Sequence, residues 1–359
     1  MINSNELLID AEYFLTEYNG QIIALYTLEN SNGMTVQLSN LGARIVSIIV
    51  PDASNQPRDI VVGMKTAREY LNKEEPYYGA VIGPYTGRIS NAQFEIEGTT
   101  HQLIQNNGVN TLHGGPEGLH LAVWETTLSE NTVTFDYTFP DQKEGYPGPT
   151  HFKVSYTLTD QNELMIDYFG KAEKPTIINL TNHAYFNLNG EGSGKIENHL
   201  LQINSNQITT LAEDYSQTGE RLSIINTPFD FNQLKPIGKS INDKHEQLIF
   251  GNGYDHYYIV EDNFDQNILH TAKLVGDQSG IVLDVFSTAQ GVVLYTGNFM
   301  SDKISLKNGG TDSFRTAVCL ETQDFPDSPN QPNFPSKIYV ENNTYQSQTI
   351  LKFSTTTKL

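Results

Sequence analysis

The sequence contains little sulfur and few cations, and both shortages exclude classes of protein. Its single cysteine, Cys319, cannot form an internal disulfide bond, and one thiol without a Cys/His spacing pattern argues against a structural zinc site. The 22 lysine and arginine residues face 42 aspartate and glutamate residues, which gives a formal net charge of −20. A charge of this sign repels phosphate backbones and anionic headgroups. We therefore expect neither nucleic acid nor a membrane surface as a partner.

Long apolar runs and linkers are also missing. No run reaches the roughly 18 apolar residues that a membrane-spanning helix needs. The stretch Met1–Asp10 lacks a basic segment followed by an apolar one, so it does not read as a signal peptide. No Pro/Ser-rich linker, low-complexity tract or fixed-period repeat divides the 359 residues. We expect a single domain over residues 1–359, located in the cytoplasm.

Helical patterns are scarce, and strand patterns dominate. Most segments are short runs rich in Val, Ile, Tyr, Phe and Thr that are bounded by Gly, Asn, Asp or Pro. Clear examples are Thr132–Phe139, His151–Leu158 and Ile281–Ser287, whereas only Thr66–Leu71 and Lys244–Phe250 read as short helices. Roughly a dozen or more strands with so little helix predict an all-β fold, a large antiparallel sandwich or barrel. In such folds one sheet usually bends, and its concave face holds the ligand.

The stretch Ile177–Leu188 has an unusual polar pattern. Read as a strand, it places its even-numbered, mostly apolar residues on one face and its odd-numbered residues on the other. The odd-numbered face carries Asn179, Thr181, His183, Tyr185 and Asn187. Such groups both donate and accept hydrogen bonds, as a hydroxyl-rich ligand requires. We interpret this stretch as a sugar-facing strand. The alternative is that His183 is an ordinary exposed strand residue.

Two glycine-rich stretches bring further functional groups. Arg88 lies close to two glycines in Gly83–Asn91, and its planar donor fork suits a pair of hydroxyls or a carboxylate. A surface arginine paired with one of the many acids is the alternative. His113 lies on the lip of a Gly-Gly turn in Asn110–Gly115, a place where binding residues are often displayed. An ordinary loop histidine would look the same.

Two carboxylates complete the set of candidates. Asp255 lies among tyrosines in Gly251–Tyr258, where it could accept two hydroxyl protons while aromatic rings cover a sugar's C–H face. A strand cap or an Asx turn is the alternative. Glu321 ends an otherwise apolar strand before a proline-rich loop, a position that favours function because acids are rarely buried without one. Gln290 lies just upstream and is a candidate neutral hydrogen-bonding neighbour.

Several reaction classes lack their signatures. The sequence has no Ser or Cys nucleophile elbow, phosphate loop, dinucleotide fingerprint or metal-binding His-x-x-x-His helix. Proton transfer on a neutral polyol is the chemistry that remains. A carboxylate base and a histidine acid across a sugar ring could deprotonate the anomeric hydroxyl and protonate the ring oxygen, which opens the hemiacetal. A half-turn about the C1–C2 bond and reclosure would give the other anomer without a metal or cofactor.

Five stretches together resemble the aldose 1-epimerases, or galactose mutarotases. These are Asn179–Leu188, Thr111–Gly115, Gly253–His256, Tyr295–Asn298, and Cys319–Gln323 with its proline-rich tail. The matching part runs from the region of Asn30 to the C-terminus. The resemblance implies a large β-sandwich, or supersandwich, with very few short helices. It also implies His183 as the general acid, Glu321 as the general base, and sugar binding by Arg88, His113, Asp255 and Gln290, with His113 close to the ring oxygen.

Two positions depart from that family pattern. The family usually has an asparagine immediately before the arginine, and this position is Gly87 here. The residue after the Asp-His pair is often asparagine, and here it is Tyr257. Both positions belong to the expected binding shell, so they bear on substrate preference rather than on the type of reaction.

Three other functions stay open at this point. A glycosidase would need a second carboxylate opposite Glu321, and Asp255 is the candidate. A sugar-phosphate epimerase would need a basic cluster, but Arg88 has no basic companions in the key loops. A non-catalytic sugar-binding protein would need no acid and base on opposite sides of a ring. The sequence does not rank galactose, glucose, xylose or a reducing disaccharide such as maltose. We expect a small-molecule sugar partner, no cofactor, no metal, and a monomer or homodimer.

Overall fold

The computed structural model describes residues 6–71, 77–260 and 266–357, so the first five residues of Met1–Asp10 lie outside the described part. The two α-helices in these ranges are short: α1 (Ala67–Tyr70) and α2 (Glu246–Phe250). The strands are, in chain order, β1 (Thr16–Tyr18), β2 (Gln21–Ile23), β3 (Leu25–Glu29), β4 (Thr35–Ser39), β5 (Arg44–Pro51), β6 (Pro57–Asp59), β7 (Val81–Ile82), β8 (Arg88–Ile89), β9 (Gln93–Ile96), β10 (Thr99–Gln102), β11 (Thr111–Leu112), β12 (Glu125–Ser129), β13 (Thr132–Phe139), β14 (Thr150–Leu158), β15 (Glu163–Ala172), β16 (Thr181–Asn182), β17 (Leu200–Ile203), β18 (Gln207–Leu211), β19 (Gln217–Ser223), β20 (Lys235–Pro236), β21 (Asp255–Ile259), β22 (Leu269–Val275), β23 (Ile281–Ser287), β24 (Gly291–Tyr295), β25 (Cys319–Gln323) and β26 (Tyr345–Thr355).

Three sheets form the body of the described chain. A nine-stranded sheet has the order β12-β13-β14-β15-β26-β23-β22-β17-β20, a five-stranded sheet has the order β19-β18-β21-β24-β25, and β3 to β6 form a four-stranded meander. Neighbouring strands in these three sheets pair antiparallel. The remaining eight strands form four two-stranded ladders. The sequence prediction of an all-β, antiparallel fold with very few short helices is confirmed. That residues 1–359 form a single domain stays a prediction.

The main core lies where the inner face of the nine-stranded sheet meets the other two sheets. Phe152 and Leu283 of the large sheet share one buried cluster with Ile48 of the meander and Leu294 and Leu320 of the five-stranded sheet. Long strands such as β14 and β15 alternate between buried and more exposed residues, which is the pattern of a sheet with one covered face. One face of the five-stranded sheet therefore packs in the core, and its opposite face makes other contacts.

Both predicted helices are present, and local chemistry defines their ends. The Thr66 side chain caps α1 by accepting a hydrogen bond from the backbone N–H of Glu69, whose carboxylate in turn accepts from the Thr66 backbone. The His245 ring accepts from the Gln247 backbone at the start of α2. Neither of these two helices in the described ranges is long and apolar enough to cross a membrane.

The prediction of a continuous strand over Ile177–Leu188 is wrong. Only Thr181–Asn182 forms a strand, β16, and the rest of the stretch makes single bridges to different neighbours. The backbone N–H groups of Asn179 and His183 donate to carbonyls on either side of β7, whereas that of Phe186 donates to the carbonyl of Val318. Both faces are buried, so the stretch is an internal connector rather than a strand with one wet face. The alternation itself persists, because Leu180, Ala184 and Phe186 pack in the core.

Candidate functional site

One face of the five-stranded sheet forms the floor of a pocket of about 160 Å³. Cross-strand partners share a face of a sheet, and two such rows line this pocket. Tyr257, Val293 and Glu321 form one row, and Asp255 and Tyr295 form the next. Loops from elsewhere in the chain supply the walls. The complete lining is Tyr77, Gly87, Arg88, Leu112, His113, His183, Tyr185, Leu211, Tyr215, Gln217, Asp255, Tyr257, Val293, Tyr295, Phe299, Glu321, Gln323 and Pro326.

The sequence-predicted acid and base lie together at the deep end of the pocket. The Nε2 atom of His183 is 3.5 Å from Oε1 of Glu321, and the two side chains are only 6% and 4% exposed. This distance is longer than a good N–H···O hydrogen bond. A third molecule that lies beside both atoms can therefore hydrogen-bond to either group.

Aromatic rings fix the orientation of the His183 imidazole. Tyr185 stacks on it with 4.9 Å between ring centroids and 12° between planes, and the ring of Tyr77 lies 6.1 Å away at 15°. The imidazole is buried between these two nearly parallel tyrosines, and that burial lowers the pKa of His183 to about 3 because it penalises the charged form. The ring is thus held by packing rather than by a charged partner.

His113 is held by two hydrogen bonds with Gly87. The backbone N–H of Gly87 donates to Nδ1 of His113 at 3.2 Å, and the backbone N–H of His113 donates to the Gly87 carbonyl at 2.9 Å. His113 has a positive φ of 54°, an uncommon conformation for a residue with a Cβ. Burial, followed by the nearby His183 and Arg88, lowers its pKa well below 6.5, so the ring is neutral. Because Nδ1 accepts, the proton of the neutral ring is on Nε2, which makes His113 a hydrogen-bond donor.

Arg88 and Asp255 also line the pocket. The Nε–H of Arg88 donates to Asn107 Oδ1 at 2.9 Å, and its guanidinium carbon lies 4.9 Å from the centroid of the Tyr215 ring. Burial raises the pKa of Asp255 to about 6, and the positive charge of Arg88 opposes that rise. The guanidinium thus helps to keep acids ionised in a dry site.

The surroundings of Glu321 raise its pKa and so favour the protonated carboxyl. Its pKa lies well above 4.5, first because the group is buried and second because the negative Asp255 is near, while Arg88 acts in the opposite direction. The burial that lowers the pKa of His183 therefore raises that of Glu321. A buried carboxyl and a buried imidazole of this kind share protons as a pair.

Gln290 is the one candidate that the structure does not bring into the pocket. Its side chain is 1% exposed and absent from the pocket lining, and its backbone N–H donates to Asp324 Oδ1 at 3.3 Å. The reason is the alternation along β24, since Val292 and Leu294 face the core. Val293, on the opposite face and beside Glu321, occupies the pocket instead. The other five predicted residues, His183, Glu321, Arg88, His113 and Asp255, all line it.

Both departures from the family pattern lie in the pocket wall. Gly87 has a φ of +76°, and a Cβ at this position would meet Pro326 Cβ at 3.3 Å. Tyr257 is 1% exposed, and its hydroxyl donates to the Gln323 carbonyl at 3.3 Å. Position 87 therefore adds no side chain to the pocket, whereas position 257 adds an aromatic ring.

Sequence reasoning missed several further lining residues, among them four apolar or aromatic ones. Tyr77, Val293, Tyr215 and Phe299 lie in the pocket. None belongs to a charged or glycine-rich motif, so nothing local in the sequence separates them from ordinary core or loop residues. Val293 lies two residues before Tyr295 on one strand, so both side chains are on the same face of the sheet. Only this relation could have indicated the position of Val293.

Three donors at the deep end are of types that bind metal ions. One donor atom each from His113, His183 and Glu321 lies within 4.8 Å of the others. Two imidazoles and a carboxylate form a common transition-metal ligand set. The same three groups also suit proton transfer to and from an oxygen-rich ligand, with no step passing through a metal.

Comparison with known proteins agrees with this geometry. Residues 24–352 match the family model described as aldose 1-epimerase. A galactose mutarotase from Bos taurus is 36% identical over 324 residues, which cover 90% of this chain and 92% of the relative. An aldose 1-epimerase from Escherichia coli is 33% identical over 321 residues, which cover 88% of this chain and 90% of the relative.

Solved structures agree as well. An aldose epimerase homologue from C. elegans has a TM-score of 0.85 at 27% identity, covering 93% of this chain and 99% of its own. A galactose 1-epimerase from Lactobacillus acidophilus has a TM-score of 0.81 at 25% identity, covering 95% and 97%. The mutarotase-like fold predicted from the resemblance is confirmed. The chain belongs to the aldose 1-epimerase family.

Proposed function

We propose that this protein interconverts the α and β anomers of free aldohexoses such as galactose and glucose, with Glu321 as the general base and His183 as the general acid. The base takes the proton of the anomeric hydroxyl while the acid protonates the ring oxygen, and the C1–O5 bond breaks. A half-turn about C1–C2 exposes the other face of the aldehyde. Reclosure reverses both proton transfers, so each group ends as it began.

The single observation that carries this proposal is the buried Glu321–His183 pair. Its two tips are 3.5 Å apart in one pocket, too far for a good direct bond yet close enough for both to contact one bound ring. The pair holds one proton between the lowered pKa of His183 and the raised pKa of Glu321. Below the raised pKa of Glu321 that proton lies on Glu321, whereas the proposed roles require it on His183, so we propose that it passes to His183 when the sugar binds.

The neighbouring groups suit a neutral polyol. His113 presents an N–H donor, Asp255 a carboxylate and Arg88 a fork of donors, and all three line the same pocket. Among the described residues of the lining, Arg88 is the one lysine or arginine, and two carboxylates line the same pocket. A sugar phosphate would meet more negative than positive charge there, so we propose an uncharged sugar.

The direct test is the Glu321→Gln variant. It keeps the shape of the side chain and removes the base, so we expect kcat to fall by about 10²–10⁴-fold, the usual contribution of a positioned proton-transfer group. The measurement is polarimetry of freshly dissolved α-D-galactose and α-D-glucose with the buffer rate subtracted. Glu125→Gln, an exposed glutamate on β12, is the matched control and should keep the wild-type rate.

Two outcomes would remove the assignment. A folded Glu321→Gln protein with the wild-type rate would show that this carboxylate is not the base. Release of methanol from a methyl galactoside by the wild-type protein would favour hydrolysis instead, because such a glycoside has no free anomeric hydroxyl. Hydrolysis would use Asp255 and Glu321 as its two carboxylates.

A further inference from the structure

Glu321 lies in the middle of three successive rows of cross-strand partners on the pocket floor. Tyr295 belongs to the row on one side of it, and Gln323 belongs to the row on the other side. The His183 ring lies 6.4 Å from the Tyr295 ring, so it approaches Glu321 from the Tyr295 side. His183 and Gln323 therefore lie on opposite sides of Glu321 along the strands.

The Gln323 side chain has a donor without a partner in this pocket. The residue is 1% exposed and lines the pocket. Its Oε1 accepts a hydrogen bond from the Thr86 hydroxyl at 3.1 Å, which fixes one end of the amide. At the other end, Nε2 is buried and has no hydrogen-bond partner among the described residues. Because a buried unpaired N–H group is costly, this end of the amide suits a ligand that supplies an acceptor.

The neighbours of this amide leave it accessible from the pocket. Gly87 carries no side chain, and a Cβ at its position would lie 3.8 Å from Gln323 Nε2. The ring of Tyr257 lies against Gly291, where a Cβ would meet its Cζ at 2.5 Å, and the Tyr257 hydroxyl donates to the Gln323 carbonyl at 3.3 Å. An N–H donor beside an aromatic ring suits a sugar, which carries hydroxyl oxygens next to apolar C–H groups.

The order His183, Glu321, Gln323 along the floor gives a bound sugar one direction. In the proposed reaction the ring oxygen O5 contacts His183, and the hydroxyl on C1 contacts Glu321. Within a pyranose, C1 is bonded to O5 on one side and to C2 on the other. The C2–C3 edge of the ring therefore points towards Gln323. The C6 group is attached to C5, next to O5, so it lies on the opposite side.

We propose that Gln323 is a specificity-determining residue whose Nε2 donates a hydrogen bond to the hydroxyl on C2 or C3 of the aldohexose. This inference rests on the proposed function and names the edge of the sugar that the same pocket recognises. A sugar without the contacted hydroxyl loses this hydrogen bond, while the proton transfers at C1 and O5 stay the same. Gln323 thus contributes to the choice of sugar and not to the chemistry.

The test compares glucose with 2-deoxyglucose, 3-deoxyglucose and 6-deoxyglucose, each of which lacks one hydroxyl. We measure kcat/KM for mutarotation by polarimetry, with the buffer rate subtracted, in the wild type and in Gln323→Met. Methionine keeps the length of the side chain and removes the amide. For the 2- or 3-deoxysugar that lacks the contacted hydroxyl, we expect the ratio of kcat/KM for glucose to that for the deoxysugar to fall about three- to tenfold. This is the usual contribution of one neutral hydrogen bond.

Two internal controls accompany this measurement. The ratio of glucose to 6-deoxyglucose should not change in Gln323→Met, because both sugars keep the C2 and C3 hydroxyls. Gln161→Met, at an exposed glutamine in the turn between β14 and β15, should leave all three ratios unchanged.

Each alternative result overturns a defined part. Equal losses with all four sugars in Gln323→Met would make Gln323 a purely structural residue, and a fall confined to the 6-deoxyglucose ratio would overturn the direction of the sugar. If wild-type protein accelerates 2-deoxyglucose and 3-deoxyglucose as strongly as glucose over their spontaneous rates, recognition of the C2–C3 edge is overturned, even where the variant does not fold, and the proposed function stands. Wild-type protein that accelerates none of the sugars would overturn the proposed function, and this inference with it.

Discussion

A single physical cause, burial, gives His183 and Glu321 their complementary states. Burial disfavours the imidazolium and the carboxylate alike, so it lowers one pKa and raises the other. Asp255 adds negative charge that raises the pKa of Glu321 further, whereas Arg88 lowers it. His113 is already neutral by the same effect of burial and adds no charge of its own. Burial therefore sets the pKa values of both groups, and the positive charge of Arg88 opposes the rise in the pKa of Glu321.

The pH dependence of kcat/KM follows from this pair. On the acid side, the rate should fall as pH approaches the pKa of His183, about 3, where the pair takes up a second proton. On the alkaline side, it should fall as pH rises through the raised pKa of Glu321, where the pair loses its last proton. In Asp255→Asn the alkaline limb should move to lower pH, because a neighbouring negative charge no longer disfavours the Glu321 carboxylate. The profile is measured by polarimetry with the buffer rate subtracted.

The control for this shift is Glu130→Gln, an exposed acid outside the pocket lining. It carries the same change in net charge, so it should leave both limbs in place. An alkaline limb that stays fixed in Asp255→Asn would contradict the electrostatic coupling between the two carboxylates. A limb that moves equally in both variants would indicate a general charge effect instead.

At the scale of elements, the alternation of apolar and polar residues predicts the two faces of a regular strand. It is misleading for a segment that is not a regular strand. Glu321 and Gln323 alternate with core residues along β25, and both line the pocket because β25 pairs with β24 over its whole length. Gln290 was a plausible neighbour by composition, yet its parity puts it with the core-facing residues of β24. Ile177–Leu188 alternates as a strand does, but tertiary contacts on both faces override that pattern. Periodicity alone cannot distinguish a strand from a buried connector.

One residue of that connector joins the segments that carry His183 and Glu321. Asn179 Nδ2 donates to the Asp324 carbonyl at 3.0 Å, and the Asp324 backbone N–H donates back to Asn179 Oδ1 at 3.0 Å. This reciprocal pair ties the segment of His183 to the end of the strand that carries Glu321. Asn179 is 1% exposed and outside the pocket lining, so it is a positioning residue.

We expect Asn179→Ala to lower kcat by about ten- to hundredfold with little change in KM, because small misplacements of reacting groups are costly. Asn187→Ala is a close control. Asn187 lies in the same stretch, is fully buried, and donates to two carbonyls at 2.8 and 2.9 Å away from the pocket. Both variants should lose stability, but Asn187→Ala should keep kcat once the folded fraction is taken into account. Equal losses of kcat in the two variants would reduce Asn179 to a purely structural residue.

At the scale of the whole molecule, the pocket exists because distant segments converge on one sheet face. His113, His183, Asp255 and Glu321 come from four separate parts of the chain. Composition predicted the all-β class, since strand and turn residues dominate throughout. It could not predict which loops meet, because periodicity reports faces and not contacts between elements. The candidate residues that line the pocket were therefore predicted from resemblance and chemistry, whereas Tyr77, Tyr215 and Phe299 could be placed only from the folded arrangement.

A buried ion pair fastens the loop that carries Lys307 to the four-stranded sheet. Lys307 Nζ lies 2.9 Å from Asp59 Oδ2, and the two side chains are 5% and 9% exposed. The same ammonium donates to the Val46 carbonyl at 2.6 Å. Nearby, Glu191 accepts from the Gly63 and Asn308 backbones, and burial raises its pKa to about 7. Lys307 is thus the cation on which two largely buried acids depend.

Lys307→Met should therefore lower the free energy of unfolding by about 3–5 kcal/mol, because it leaves a buried carboxylate without its partner. Adding Asp59→Asn should recover part of that loss, since the double variant no longer buries the unpaired charge of Asp59. The measurement is urea unfolding of the wild type, both single variants and the double variant, which together give the coupling energy. Lys303→Met, an exposed lysine four residues earlier, should change stability by less than about 0.5 kcal/mol. Strictly additive losses in the cycle would mean that the two side chains stabilise the fold independently of their ion pair.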